Sequence, residues 1–183
     1  MAVTVTPQTF TFVSFEAPAI EALLTGLLDG LGMADRSLQV EINEASPVVR
    51  IVAEDGDPIV IRADSGAFEE PRRPRSLSDD NVVTNAGRVL LRLRDRADGT
   101  FADAPDDGDL TLAQTAAWDT YSVGRIGQLG YHVHEPRWRY NFRNRHSFSD
   151  AADALFDRIW GADQLTWAEL TALSDEAVAA VAS

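Results

Sequence analysis

The sequence predicts an α+β fold: a small antiparallel or mixed sheet with one packed helix in the N-terminal half, and a mostly helical C-terminal half with one additional strand rich in arginine and aromatic residues. Two observations favour this class. Short β-rich runs separated by turn residues surround one helical pattern in residues 1–64, and apolar residues at helical spacing dominate residues 81–183. At 183 residues the chain is expected to form a single domain, in which residues 65–80 are a connecting loop.

The N-terminal region has the predicted order β-α-β-β-β. Residues 9–15 (TFTFVSF) are β-branched and aromatic, which predicts a strand with two apolar faces. Pro18 fits the first turn of a helix, because a missing N–H costs nothing there, and an apolar stripe at helical spacing covers residues 20–31. Three further strands are predicted at residues 38–42, 48–54 and 58–63, the last two as a hairpin around Asp55 and Gly56.

The C-terminal region begins with a choice between helix and strand. A helix is preferred for residues 81–96 because its apolar stripe extends further than the strand-like alternation of RVLLRLR, which leaves a strand open. A long helix is predicted for residues 110–130. The recurrence of Gly124, Gly127 and Gly130 at every third position indicates a flat face for close packing, followed by helix termination.

Two shorter helices close the chain. Ser147 or Ser149 is expected to cap the first of them. Thr166 is expected to cap the second, and Glu169, three residues later, completes a capping box in which each side chain accepts from the backbone of the other residue. The apolar stripe of this last helix includes Val181.

The composition excludes several classes of protein. The chain has no cysteine, which removes disulfide frameworks, thiolate metal sites and thiol nucleophiles. It has 16 arginines and no lysine, so a lysine Schiff base cannot form. A net charge of −13 argues against binding to nucleic acid or to an anionic membrane. Since neither a secretory signal nor a run of about 20 apolar residues is visible, a cytoplasmic location is expected.

One part of this acidic chain is net positive. Residues 110–148 contain five arginines and two acidic residues. Within them, residues 131–148 (YHVHEPRWRYNFRNRHSF) contain all three histidines, four arginines and five aromatic residues. If this stretch is a strand, Trp138, Tyr140 and Phe142 share one face and the arginines share the other.

Three interpretations of residues 131–148 are open. In the structural interpretation, the aromatic side chains pack into the core and the arginines pair with acidic residues elsewhere in the chain. In the second, arginine forks beside Trp and Tyr bind an anionic or planar small molecule. Its candidate ligand-binding residues are Arg137, Trp138, Arg139, Tyr140, Arg143 and Arg145. In the third, zinc or another first-row transition metal is bound by His132, His134 and His146.

The leading functional hypothesis is a noncatalytic cytosolic binding or interaction protein without a cofactor, because no HExxH, P-loop or GxSxG motif is present. Its expected partner is an anionic small molecule or an acidic protein. The alternative is a small metal-dependent hydrolase or isomerase that uses the three histidines. A third hypothesis is a homodimer in which Trp160 and Trp167 are buried at the interface.

Overall fold

The computed structural model describes residues 2–180, and it has the α+β fold that the sequence predicts. Within these residues there are six α-helices, a four-stranded mixed sheet and a two-stranded antiparallel sheet. Val181, which the sequence adds to the last helical stripe, lies outside the described residues. The elements are β1 Val3–Thr6, α1 Ala17–Gly30, β2 Leu38–Asn43, β3 Ile51–Glu54, β4 Ile59–Asp64, β5 Glu69–Glu70, β6 Arg73–Leu77, α2 Asp79–Ala97, α3 Leu112–Gln128, α4 Glu135–Arg145, α5 Asp150–Trp160 and α6 Trp167–Ala179.

The chain divides into two compact units, Met1–Leu93 and Arg94–Ser183. The first unit contains all the described strands, α1 and most of α2. The second contains the end of α2 and the helices α3 to α6. The expectation of a single domain stays a prediction. Among the described helices, none combines the length and the apolar character that crossing a membrane requires.

The mixed sheet of the first unit has the strand order β1-β2-β4-β3. Strands β1, β2 and β4 are parallel, whereas β3 runs antiparallel to β4, as the predicted hairpin requires. Side chains alternate along β2, where Leu38, Val40 and Ile42 are buried while Gln39 and Glu41 remain partly exposed. One face of the sheet therefore belongs to the core of the unit, and the other face carries polar side chains.

The predicted strand at residues 9–15 is wrong, because the first strand of the sheet is β1, four residues long, and it precedes this stretch. Residues 9–15 make isolated bridges instead of a ladder. The backbone N–H groups of Thr11 and Phe12 donate to the Glu44 carboxylate at 2.7 and 2.6 Å. A side chain thus takes the place of a neighbouring strand as the hydrogen-bond partner of this backbone.

The helix predicted to begin near Pro18 and the helix preferred for residues 81–96 are both confirmed. Helix α1 has Pro18 in its first turn, lies next to β1 and buries the apolar stripe that begins at Ile20. Residues 81–96 lie within helix α2, so they form a helix and not a strand. Its buried apolar residues recur at helical spacing, whereas a strand would bury every second residue. These residues are Val82, Val83, Ala86, Val89 and Leu90.

The predicted loop at residues 65–80 contains more regular structure than expected. A turn of 3-10 helix, Ser65–Ala67, is followed by a hairpin of β5 and β6. Arg75 has a φ of 68°, in the left-handed region that few non-glycine residues adopt. Its backbone N–H and its guanidinium both donate to Glu69, at 2.8 and 3.3 Å, which holds this conformation. Residues 65–80 are rich in proline and charged residues, and hairpins and irregular loops both tolerate this composition. The composition therefore did not predict the hairpin.

The second unit packs α3, α4, α5 and α6 around an aromatic core, with α3 adjacent to the other three helices. In that core Phe101 stacks on Trp118 with 4.7 Å between the ring centroids. The predicted helix caps are confirmed. Ser149 caps α5, and Thr166 forms a capping box with Glu169 at the start of α6.

The predicted roles of the glycines in GRIGQLG are also confirmed. A Cβ atom on Gly124 would lie 2.2 Å from the backbone oxygen of Trp160, so only glycine fits at this contact. A Cβ atom on Gly127 would lie 3.0 Å from Cγ2 of Val133. Gly130 has a φ of 91°, which is typical of the residue that follows the end of a helix.

The predicted arginine-aromatic strand is wrong, because this segment forms helix α4. Pro136 lies in the first turn of this helix, where a missing backbone N–H costs nothing. Trp138 and Phe142, four residues apart, are both buried, whereas Tyr140 between them is exposed. A pattern with period two also places like residues at positions i and i+4, which share a face of a helix, so the alternation did not separate the two structures.

A buried ion pair connects the end of α2 to α3 within the second unit. Arg125 donates to both carboxylate oxygens of Asp95 at 2.7 Å each, and the indole N–H of Trp118 donates to Oδ2 of Asp95 at 2.9 Å. The side chains of Asp95 and Arg125 are 4% and 10% exposed. The guanidinium also lies 3.7 Å from the ring centroid of Tyr121. Bidentate charge-assisted pairs of this kind are among the strongest hydrogen bonds in proteins.

Candidate functional site

Helix α4 places the candidate ligand-binding residues on different faces. Trp138 and Phe142 belong to the core of the second unit, where the ring of Phe142 lies 5.7 Å from that of Phe156. Only 8% of the surface of Trp138 is exposed. Trp138, a candidate ligand-binding residue in the sequence analysis, is therefore a core residue.

Arg139 and Arg143 bind carboxylates, most of them on the neighbouring helix α5. Arg139 contacts Asp157 at 2.5 Å and Glu135, one turn earlier on α4, at 2.7 Å. Arg143 donates from Nε to Asp153 at 2.7 Å, and its Nη2 binds the other oxygen of the same carboxylate. The hydrogen bond from Arg143 lowers the pKa of Asp153, which favours the charged pair. These two arginines connect α4 to α5, as the structural interpretation expected.

The other candidates, Arg137, Tyr140 and Arg145, are exposed residues of α4. Arg145 makes no side-chain hydrogen bond or ion pair with a described residue, and Arg137 has no carboxylate partner among them, its guanidinium lying 5.9 Å from the ring of Trp138. Tyr140 packs edge-on against Phe148 at 6.0 Å, and the two residues are 61% and 65% exposed. We call Arg137, Tyr140, Arg145 and Phe148 the outer α4 face.

The outer α4 face is extended and carries no acidic residue. Arg137 and Arg145 are about 12 Å apart along the helix axis, at 1.5 Å per residue. In sequence order the face presents cation, aromatic ring, cation, aromatic ring. No acidic residue occurs between Glu135 and Asp150. Two arginines this far apart along a helix suit an extended chain with two acidic groups better than a single small anion.

The three histidines do not form the metal site of the alternative interpretation. His146 is buried, with Nε2 at 2.8 Å from Oγ of Ser174 and Nδ1 at 3.0 Å from the backbone oxygen of Phe142. Burial lowers the pKa of His146, which favours a neutral ring. His132 and His134 are exposed. Among the described residues, no group of three or more histidine, aspartate or glutamate side chains is placed to hold a metal ion.

The two tryptophans assigned to a dimer interface contact aromatic residues of their own chain. Trp160 stacks on Phe156 with 5.4 Å between ring centroids. Trp167 lies at the same distance from Trp118 in the core of the second unit. Both tryptophans are partly exposed. The homodimer stays a prediction.

A second candidate site lies in the first unit, where the sequence analysis placed none. A cleft of about 560 Å³ lies over the polar face of the mixed sheet and extends to the carboxyl ends of the parallel strands β1, β2 and β4. Its lining includes Thr6, Asn43, Arg50, Arg62 and Asp64. Ligands of open sheets with parallel strands bind preferentially at this end of the strands. We call this feature the sheet cleft.

The register of the strands aligns the polar side chains of the sheet cleft in two rows. In the outer row, Asn43 pairs with Asp64 and donates to its Oδ1 at 2.9 Å. The backbone N–H of Asp64 donates to the backbone oxygen of Arg50 at 2.9 Å, so Arg50 is its neighbour on the other side. In the inner row, Glu41 pairs with Arg62, which binds its carboxylate at 2.9 Å. Polar and apolar residues alternate in LQVEIN and IVIRAD, as is typical of half-buried strands, but only the register brings these polar side chains together.

The comparisons with known proteins identify no relative. No protein-family model matches the chain, and no curated protein or solved structure shows significant similarity to it. The functional argument therefore depends on the chemistry of the outer α4 face and of the sheet cleft.

Proposed function

We propose that the protein is a noncatalytic binding protein whose outer α4 face binds an acidic, extended segment of a partner protein. A contrast within one helix carries the proposal. Arg139 and Arg143 are neutralised by carboxylates, whereas Arg137 and Arg145 are exposed and have no carboxylate partner among the described residues. Along the chain the two arginines alternate with the exposed aromatic residues Tyr140 and Phe148.

The charge of the chain supports an acidic partner. The net charge of −13 repels anions from most of the surface, so a carboxylate is attracted where two exposed arginines lie on one helix with no acidic residue between them in the sequence. Planar guanidinium groups bind carboxylates through two parallel hydrogen bonds. Long nucleic acids and anionic membranes need a broader basic surface than this chain offers.

The spacing of the outer α4 face supports an extended segment and predicts its pattern. An extended chain advances about 3.3 Å per residue, so two carboxylates about four residues apart span the distance from Arg137 to Arg145. Along the helix axis Tyr140 lies between the two arginines, so an apolar residue between the two carboxylates can contact its exposed ring. Contacts with Tyr140 and Phe148 would remove from water an aromatic pair that is now exposed. The preferred segment therefore has an acid, an apolar residue and a second acid.

The proposal is tested by fluorescence anisotropy with a labelled peptide that contains Glu-Ser-Leu-Ser-Glu. Arg137→Gln combined with Arg145→Gln should weaken binding about tenfold, because each exposed ion pair contributes up to about 1 kcal/mol. Tyr140→Ala should weaken it further. Arg158→Gln is the matched control for a single charge loss, because Arg158 is exposed on α5 and has no described carboxylate partner. Its affinity should equal that of the wild type.

Two results would contradict the proposal. If Arg158→Gln weakens binding as much as Arg137→Gln alone does, net charge rather than the outer α4 face determines the affinity. If a peptide with serine in place of both glutamates binds equally well, the arginines do not recognise carboxylates.

A further inference from the structure

We infer that the sheet cleft binds a free α-amino acid, with Arg50 holding the carboxylate and Asp64 holding the ammonium group. The sheet cleft lies in the first unit and shares no residue with the outer α4 face. This inference therefore does not depend on the proposed function.

The inner row of the sheet cleft satisfies its own charges. Arg62 binds Glu41 at 2.9 Å and Glu54 at 2.5 Å. The side-chain amide of Gln39 donates to Glu41 at 2.8 Å. The hydrogen bond to Glu54 is the main cause of a raised pKa at Arg62, so this cation stays charged and paired. The charged groups of the inner row are thus already paired with one another, so they offer a ligand little opportunity for a further ion pair.

The outer row has one free cation and one partly free anion side by side. Arg50 is exposed, and its guanidinium makes no hydrogen bond or ion pair with a described residue. Asp64 uses Oδ1 to accept from Asn43, while its Oδ2 accepts from no described residue. The two residues are cross-strand neighbours, for which Cβ atoms lie about 5 Å apart. They nevertheless form no ion pair within 4.0 Å in this structure.

This juxtaposition selects a zwitterion with its two charges close together. A simple anion bound to Arg50 would lie beside the carboxylate of Asp64 and be repelled by it, and a simple cation at Asp64 would meet Arg50. An α-amino acid carries its carboxylate and its ammonium on one carbon atom, which matches two neighbouring side chains. The carboxylate can accept two hydrogen bonds from the Arg50 fork. The ammonium can donate to Oδ2 of Asp64 and to the amide oxygen of Asn43.

The remaining walls of the sheet cleft accommodate the side chain of the ligand. A volume of about 560 Å³ is within the range of small-molecule pockets, which is about 300–1,000 Å³. Pro7 and Val52 contribute apolar surface, and Thr6 contributes a hydroxyl group. The cleft thus has room for an amino-acid side chain beyond the two groups that Arg50 and Asp64 hold.

The inference is tested by NMR, in which the amides of the intact protein are followed while each standard L-amino acid is added to about 10 mM, a concentration that detects dissociation constants in the millimolar range. At least one amino acid should shift amides of the residues that line the sheet cleft. Its N-acetyl derivative lacks the ammonium and its methyl ester lacks the carboxylate, so each should bind at least about tenfold more weakly.

Matched variants locate the site. Arg50→Gln and Asp64→Asn should each weaken binding at least about tenfold. Asp64→Asn removes the charge but keeps a side-chain oxygen that can accept the hydrogen bond from Asn43. Arg72→Gln and Asp35→Asn change the same charges at other exposed positions and should leave the affinity unchanged. The inference is overturned if no amino acid binds, if the N-acetyl derivative or the ester binds as tightly, or if the control variants weaken binding equally.

Discussion

Replacing Asp95 by asparagine should destabilise the second unit strongly. The change removes the negative charge that neutralises Arg125 but preserves the shape of the side chain. Arg125 stays buried, with a side chain that is 10% exposed, and it loses the only carboxylate it binds among the described residues. An unpaired buried charge of this kind costs about 3–5 kcal/mol. Since a domain typically unfolds with about 5–15 kcal/mol, the loss is a large share of its stability.

Urea unfolding followed by tryptophan fluorescence measures this loss in the second unit. The chain has four tryptophans and all of them lie in that unit, at Trp118, Trp138, Trp160 and Trp167. The free energy of unfolding falls by about 1–3 kcal/mol per molar urea in small proteins, so a loss of about 3 kcal/mol moves the midpoint by about 1–3 M.

Two further variants make the interpretation specific. Asp157→Asn removes a carboxylate that is 63% exposed and paired with Arg139, and it should cost less than about 1 kcal/mol. Asp95→Leu combined with Arg125→Met removes both buried charges, so it should recover much of the stability lost in Asp95→Asn. If Asp95→Asn unfolds at the same urea concentration as Asp157→Asn, the buried pair does not stabilise the unit and the reasoning is wrong.

Three other changes test the account of packing, capping and burial. Burial lowers the pKa of His146 below its usual value of about 6.5, so the unfolded chain binds a proton at this ring more readily than the folded chain does. The free energy of unfolding should therefore fall as the pH drops below about 6.5, and it should fall less in His146→Gln. Urea unfolding at several pH values measures both. Gly124→Ala places a Cβ atom 2.2 Å from the backbone oxygen of Trp160 and should cost about 1–3 kcal/mol by calorimetry, whereas Gly108→Ala, with open space around it, should change stability by less than about 0.5 kcal/mol. Thr166→Ala removes the N-cap of α6 and should cost about 1 kcal/mol in urea unfolding.

Each of these expectations has a distinct contrary result. An identical pH dependence in the wild type and in His146→Gln would mean that this ring titrates alike in the folded and unfolded chains. Equal melting temperatures for Gly124→Ala and Gly108→Ala would contradict the close contact at Gly124. Full stability in Thr166→Ala would mean that the capping box contributes nothing to α6.

The helices were predictable because their signals are local. Thr166 and Glu169 specify a helix start within four residues, and the glycines of GRIGQLG mark a close contact and a helix end without knowledge of the partner. The same holds for α1, whose proline and apolar stripe lie within one short segment. No distant residue was needed for any of these predictions.

The strands were harder to predict because they depend on distant partners. Residues 9–15 and VTVT of β1 both have high β-propensity, but β1 is the segment that pairs with β2, while Glu44 binds the backbone of Thr11 and Phe12. In α4, positions i and i+4 share a face of a helix and also share a face of a strand. The alternation of the sequence therefore fitted a strand as well as the helix that forms.

The candidate sites depended on tertiary neighbours in the same way. The sequence singled out four arginines in residues 131–148 but did not distinguish them. The position of Asp153 and Asp157 on α5 decides that Arg139 and Arg143 are occupied while Arg137 and Arg145 are not. The sheet cleft was missed because the predicted hairpin did not define a register, and only the register of β3 with β4 makes Arg50 and Asp64 neighbours.

The most direct test of the central claim is an NMR titration of the wild-type protein with the Glu-Ser-Leu-Ser-Glu peptide. If the outer α4 face is the binding surface, the largest amide shifts should fall within residues 137–148. These shifts should decrease as salt is added, because exposed charges are screened over about 10 Å at 0.1 M salt. Shifts that are largest elsewhere in the chain, or that are absent from residues 137–148, would contradict the claim.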